Sequence, residues 1–399
     1  MKRLSLVLIL LLASACGTTQ EAATASIATS AADGTGSPRL TPTAAPSASG
    51  LRIDARPLAG IGGLAIVSPN GKWIAAPEPR PAGKVPHEPT VLLFDAAGSL
   101  IRKLPAPIYA WSWLPDSTGL FAALDTPQRA ATLGIAELDG RVTATGLQFA
   151  DPMLSRDGRW ILAGHQEGCC AGIEQKEVWI APRTGGATKV LARTGTAETQ
   201  PIALLGVDAS ERLVYRDATE MWRIPIAGGA PQRLAASPEF PRTVRGSTSP
   251  DGLAILVRGY EPQRWYVVEG DAVTLFDATS GDIVEDGQGM RLAFGNAPIW
   301  TGPHEVLVRG SFGLVRHDLL TGRREALAGT LRPGDLALAR GADRLLVARG
   351  TRAVVIDLST GREGDAGIDL GTEVTGTRAF ALPSAGFILS TASATYRID

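Results

Sequence analysis

Short apolar runs, each broken by a turn, recur from residue 51 to the last residue of the chain. Gly62–Val67 enters the turn Ser68-Pro69-Asn70-Gly71, and Lys72–Ala76 leaves it. The same phrase returns with drift as Leu114-Pro115-Asp116-Ser117, Ser155-Arg156-Asp157-Gly158 and Ser249-Pro250-Asp251-Gly252. Pro presets φ for the second turn position, Asp or Asn tolerates the next, and Gly takes the left-handed conformation at no steric cost. These are tight hairpins. No apolar pattern at helical spacing runs for about ten residues or more, so strands are expected throughout.

A second turn signal accompanies the first. Asp277-Ala-Thr-Ser-Gly-Asp282, Asp318-Leu-Leu-Thr-Gly-Arg323 and Asp357-Leu-Ser-Thr-Gly-Arg362 each follow an apolar run, and they read as turns between a third and a fourth strand. Units begin near Gly62, Ile108, Phe149 and Ile202, a fifth carries Ser249–Gly252, and others begin near Pro298 and Leu336. Their spacing of roughly 40 to 50 residues is that of four-stranded propeller blades. The end of the chain, Arg378–Asp399, supplies only three strand-like runs, and Leu51–Leu58 resembles a spare outer strand. The expectation is an all-β fold: one β-propeller over residues 51–399, closed by the N-terminal strand in the last blade. Eight blades are expected, with seven as the alternative because the long fifth unit is ambiguous.

The turn followed by a basic residue and Trp (Lys72-Trp73, Arg159-Trp160) resembles the TolB-like and WD40-like propeller repeats of bacterial envelope proteins. The resemblance covers residues 51–399. It implies the fold and leaves function open, because such propellers serve unrelated roles.

In a propeller, first-to-second and third-to-fourth turns share one face, and the remaining connections share the other. The short Gly turns fall on the first face. Three long segments, Glu78–Pro89, Gln166–Gln175 and Tyr260–Gly270, are expected as loops on the second. Loops on a rigid scaffold are where binding concentrates. The candidate binding residues are therefore Arg80, Lys84, His87, His165, Glu167, Tyr260, Arg264 and Trp265.

The N-terminus reads as an address. Lys2 and Arg3 precede the apolar run Leu4–Leu12, and Ala13-Ser14-Ala15 approaches Cys16. This resembles the lipobox of bacterial lipoproteins, with Ala13 where Leu is commoner, and it implies a signal peptide over 1–15 and lipidation of Cys16. An ordinary signal cut after Ala15 is the other reading. Residues 16–50 are rich in Thr, Ala, Ser and Pro, too apolar-poor to form a core, and read as a flexible stalk. Both readings place the mature chain outside the cytoplasm; the first tethers it, only by the lipid, to the cell membrane or to an outer membrane if the cell has one.

The other cysteines, Cys169 and Cys170, are adjacent and fit a vicinal disulfide, a pair of thiols in a plain loop, or a sensor of metal or small ligand with His165 and Glu167. No second cluster supports a metal centre, and no metal or cofactor is expected. With 39 basic and 40 acidic residues, no global field favours nucleic acid. There is no P-loop, no dinucleotide fingerprint and no Gly-x-Ser-x-Gly; Gly310-Ser311-Phe312-Gly313 lacks the spacing. Ser155–Trp160 has a superficial likeness to the boxes of sialidases but reads as a hairpin turn. The functional expectation is a monomeric, non-enzymatic scaffold binding an envelope protein or a small ligand. The alternative is a lyase or glycan hydrolase using carboxylates of Glu78, Glu88 and Glu167.

Overall fold

The computed structural model describes residues 50–78, 90–105, 107–108, 110–124, 131–167, 174–193, 202–218, 220–236, 244–260, 263–276, 281–285, 297–311, 313–371, 377–384, 386–391 and 393–399. Among these the regular structure is entirely strand, in eight four-stranded antiparallel sheets. Each sheet is one blade, and the eight blades form a ring. In chain order their first strands are Ile66–Val67, Ala110–Trp113, Met153–Leu154, Ala203–Val207, Val244–Thr248, Asp282–Ile283, Leu336–Arg340 and Arg378–Ala381. Blade 8 takes its fourth strand from the start of the domain: Ala55–Pro57 lies antiparallel to Thr395–Ile398, with Ala55 opposite Ile398. Backbone bonds extend this closure on both sides, from Leu58 N–H to the Thr395 carbonyl (2.8 Å) and from Asp399 N–H to the Asp54 carbonyl (2.8 Å).

Successive side chains on a strand point to opposite faces of its sheet, so a middle strand buried on both faces reads as continuously apolar. In Trp73–Pro77, Ile74 and Ala76 pack toward blade 8 while Ala75 packs toward blade 2. The buried apolar side chains divide into eight clusters, and each cluster combines residues of two neighbouring blades. There is one cluster for every seam of the ring, including the seam between blades 8 and 1.

The Ser-x-Asp-Gly phrase has a common geometry. Ser68, Ser155 and Ser249 are buried, and each hydroxyl donates to the Asn or Asp two residues on (2.8, 2.6 and 2.6 Å). Each hydroxyl also accepts the N–H five residues on, from Trp73, Trp160 and Ala254 (3.0, 2.9 and 3.0 Å). Ser155–Trp160 is thus a hairpin turn, as expected. Gly310 and Gly313 likewise face each other across a hairpin in blade 6.

Blades 5 and 6 depart from the expected boundaries. Gln263–Glu269 is a strand paired residue for residue with Ala254–Tyr260, so Tyr260–Gly270 is not a long loop. The fourth strand of blade 5 follows at once, at Ala272–Leu275. With Ala272–Leu275 already the fourth strand of blade 5 and Asp282 opening blade 6, the expected third-to-fourth turn at 277–282 is not one; residues 277–280 fall outside the described residues. Alternating runs rich in Val and aromatics carry no mark of where one blade stops, and a Thr-Ser-Gly sequence serves a connection as well as a hairpin. Blade 6 begins at Asp282 rather than near Pro298, with its first strand in two parts: Asp282–Ile283 pairs with Val308 and Arg309, and Trp300 bridges Val306.

Candidate functional site

Every blade presents its first strand to the axis of the ring. A cavity of about 830 Å³ is lined by the first strands of blades 2 to 5 and by the turns that follow them. A second, of about 510 Å³, is lined by blades 6, 7, 8, 1 and 2. Pro69, Ser112 and Trp113 belong to both, so the two volumes are halves of one central channel. Glycine sets how closely blades 4 and 5 approach: a Cβ on Gly246 would collide with the Leu205 carbonyl, and one on Gly206 with the Thr248 hydroxyl.

The second half of the channel is aromatic and cationic. Trp111 and Trp113 come from blade 2, Trp300 from blade 6 and Phe380 from blade 8, all half-buried. Trp113 Nε1 donates to the Ile66 carbonyl (3.1 Å) and Trp300 Nε1 to the Ser247 hydroxyl (3.0 Å). Trp111 Nε1 is buried with no acceptor among the described residues. Arg340 and Arg378 complete the wall. Arg340 donates to the Thr301 and Ala342 carbonyls (3.0 Å each), and Arg378 to the Leu64 carbonyl (3.3 Å). Loss of water around these guanidiniums disfavours their charge and pushes both below the usual arginine range.

Turn-to-turn ties cross one rim of the channel. The Glu211 carboxylate accepts the N–H groups of Arg156 (3.1 Å) and Asp157 (2.6 Å), joining blades 4 and 3. The Asp157 carboxyl is held at about 2 by the Ser155 hydroxyl and the Arg159 N–H. His304 lies between two carboxylates, with Nδ1 2.8 Å from Asp251 and Nε2 3.4 Å from Asp318. The bond to Asp251 raises its pKa above the ordinary imidazole value, with Asp318 adding to the effect against partial desolvation.

Of the residues expected on the loop face, some lie outside the described residues and others lie on strands. Cys16, Arg80, Lys84, His87, Glu88, Cys169 and Cys170 lie outside the described residues. The strands Trp160–Glu167 and Glu174–Pro182 pair out to Glu167 and Glu174, so both ends of Gln166–Gln175 are strand, and 168–173 lie outside the described residues. His165 sits on the first of these strands with its ring stacked on Trp179 (4.5 Å, 22°). Arg264 and Trp265 are strand residues of blade 5. Arg258 lies over the Trp265 ring (5.7 Å) and is paired with Glu285. Tyr260 and Glu167 end their strands, and their side chains fall outside the description. Glu78 is tied to Lys103 (2.8 Å). Among the described residues, the candidates His165, Arg264 and Trp265 lie on strands of blades 3 and 5.

The channel residues were not singled out by sequence. Their signal is position: each falls on or beside the first apolar run of its unit, which a propeller turns toward the axis. Trp111, Trp300 and Arg340 looked there like ordinary strand residues.

No family model matches the chain, and no curated protein matches it. Solved structures do. A eukaryotic initiation factor structure is 12% identical, with 86% of this chain and 89% of that one covered at a TM-score of 0.50. A structure described as a putative TolB from Agrobacterium tumefaciens is 18% identical over 75% of this chain and 93% of that one, at 0.35. A prolyl endopeptidase structure is 13% identical at 0.44; 76% of this chain matches, spanning 47% of the length of that one. The likeness is one of fold, shared by enzymes and non-enzymes.

Proposed function

We propose that this chain is a lipid-anchored, extracytoplasmic binding module in which the propeller channel receives a ligand and no chemistry is performed on it. The observation that carries the reading is the channel wall. Small-molecule sites are concave, of about 300–1,000 Å³, and mostly apolar with a few placed polar groups. The half lined by Trp111, Trp113, Trp300 and Phe380 with two arginines matches that description at about 510 Å³. Asp116, the one carboxylate among the described residues lining either half, is engaged by Arg183 (2.5 Å) and Thr118 (2.7 Å). The extracytoplasmic placement rests on the Lys2–Cys16 leader and its likeness to a lipobox.

Thermal unfolding of the purified chain against a panel of small anions, glycans, peptides and metals tests the reading. A ligand at about a hundredfold over its dissociation constant adds roughly 2.7 kcal/mol, which a melting curve resolves. A shift lost on Trp300→Ala supports a channel site; turnover of any panel member would overturn the non-enzymatic reading. Radiolabelled fatty-acid incorporation, abolished by Cys16→Ser, tests the anchor.

A further inference from the structure

The structure contrasts two kinds of arginine. Arg183 faces Asp116 and Glu137, Arg223 faces Asp208 and Asp271, Arg258 faces Glu285, and Arg349 faces Asp335 and Glu363. Among the described residues, Arg340 and Arg378 donate to backbone carbonyls and have no carboxylate within ion-pair distance, although Asp343 and Glu305 act on Arg340 from further away. Both line the same half of the channel. They come from the first strands of adjacent blades: Arg378 opens its strand and Arg340 ends its own. The two strands run the same way, so the two charges stand at different depths along the channel.

A guanidinium withdrawn from water without a counter-charge is unfavourable, and a carboxylate or phosphate relieves that cost through short, charge-assisted hydrogen bonds. Two such groups at different depths suit a ligand with two acidic ends. Between them the wall is aromatic, and indole and phenyl faces suit a flat apolar body. A cationic ligand would add repulsion at both guanidiniums, and a purely neutral one would give neither a charged acceptor.

We propose that the channel half lined by blades 6 to 8, 1 and 2 binds a small organic dianion, its acidic groups on Arg340 and Arg378 and its apolar body against Trp111, Trp113, Trp300 and Phe380. This deepens the proposed function and rests on its placing of the site in the channel. The acidic groups are carboxylates or phosphates.

The test uses the full chain in detergent with naphthalene-1,4-dicarboxylate, naphthalene-1,4-diyl bis(methyl phosphate) and the uncharged dimethyl ester of the dicarboxylate. Quenching of tryptophan fluorescence and titration calorimetry report binding. At least one dianion binds saturably, and the ratio of the two names the acid. The ester binds at least about tenfold more weakly, and Arg340→Gln and Arg378→Gln each weaken the dianion by about tenfold or more. Arg→Lys at either position restores part of the loss, and rising salt weakens binding. The proposal is overturned if neither dianion binds, if the ester binds as well as the dicarboxylate, or if both Gln variants bind like the unsubstituted chain. Should a Gln variant fail to melt cooperatively, the ester-to-dianion ratio on the unsubstituted chain decides. A neutral probe that binds and is lost on Trp300→Ala would leave the channel reading standing while removing this one. Turnover of a probe would do the reverse.

Discussion

Arg156 Nη2 donates to the Pro250 carbonyl at 3.0 Å, joining the turn of blade 3 to that of blade 5 past the intervening blade 4. The guanidinium lies over Gly252, whose φ is +77° and where an added Cβ would meet Arg156 Cζ at 2.7 Å. Gly322 has a similar φ of +69° with open space around it. Gly322→Ala therefore costs only the backbone penalty, about 1 kcal/mol, while Gly252→Ala also displaces Arg156 and costs about 1 kcal/mol more. Melting midpoints of the two variants check the difference. In an Arg156→Ala background the excess at Gly252 disappears.

The His304 tie between blades 5 and 6 is sensitive to pH. Because the folded pKa of His304 is raised, its stabilising contribution is complete below the ordinary imidazole value of about 6.5 and is lost as pH rises through the folded value. Its partners run the other way. Asp251 and Asp318 are both lowered; burial raises each but is outweighed, by the Ser249 hydroxyl and His304 for Asp251 and by bonds from Thr321 and Leu320 for Asp318. Their contribution is present above the ordinary carboxylate range and is lost on acidification. The expected outcome is maximal support in the mildly acidic window. Melting curves from pH 5 to 8 for the unsubstituted chain and for His304→Asn test this. The variant lacks the decline toward neutrality, an effect of roughly 0.5–1 kcal/mol for a partly exposed pair.

Within blade 7, the Asp335 side chain is 1% exposed and takes both Nε (2.9 Å) and Nη2 (2.8 Å) of Arg349. It also accepts the Arg332 N–H at 3.0 Å. Arg349 in turn reaches Glu363 (2.6 Å), and the two carboxylates raise it further above the usual arginine range. Asp335→Ala leaves two donors unsatisfied while Arg349 keeps one acid, so a loss of about 2–4 kcal/mol is expected. Asp335→Asn should fall between. Chemical denaturation measures both.

The closing strand protects an edge. Without residues 1–58, Thr395–Ile398 would present unpaired backbone groups along the outside of blade 8, and open edges recruit other strands. The truncated chain is expected to self-associate and melt earlier, as sedimentation velocity and melting curves would show. Adding back a peptide of residues 51–58 should reverse part of both effects.

Turn chemistry made the fold legible, because its signals are local. The buried Ser of Ser-x-Asp-Gly and the Asp of Asp318–Arg323 satisfy backbone groups within a few residues of themselves; Asp318 accepts from Leu320 (2.9 Å) and Thr321 (3.0 Å). Blade 4 hid the same device in other letters. Asp208 stands in the place of Ser, accepting the Ser210 and Arg212 N–H groups, and Glu211 takes the Gly position at φ +56°. Blade boundaries around Gln263–Ile283 were less legible, since the strand residues of Gln263–Glu269, Ala272–Leu275 and Asp282–Ile283 carry no mark of which blade they join. The channel was the least legible part. Arg340 and Arg378 are about forty residues apart, and only closure of the ring gives them a shared cavity.

Burial in this ring lies in its seams, each cluster belonging to two neighbouring blades. The channel wall is built on these seams: Trp111, Trp113 and Phe380 pack against the cluster between blades 1 and 2, and Trp300 against that between blades 5 and 6. A change of the residues that face the hole is therefore felt in the fold as well, and the ring and its lining can drift only together.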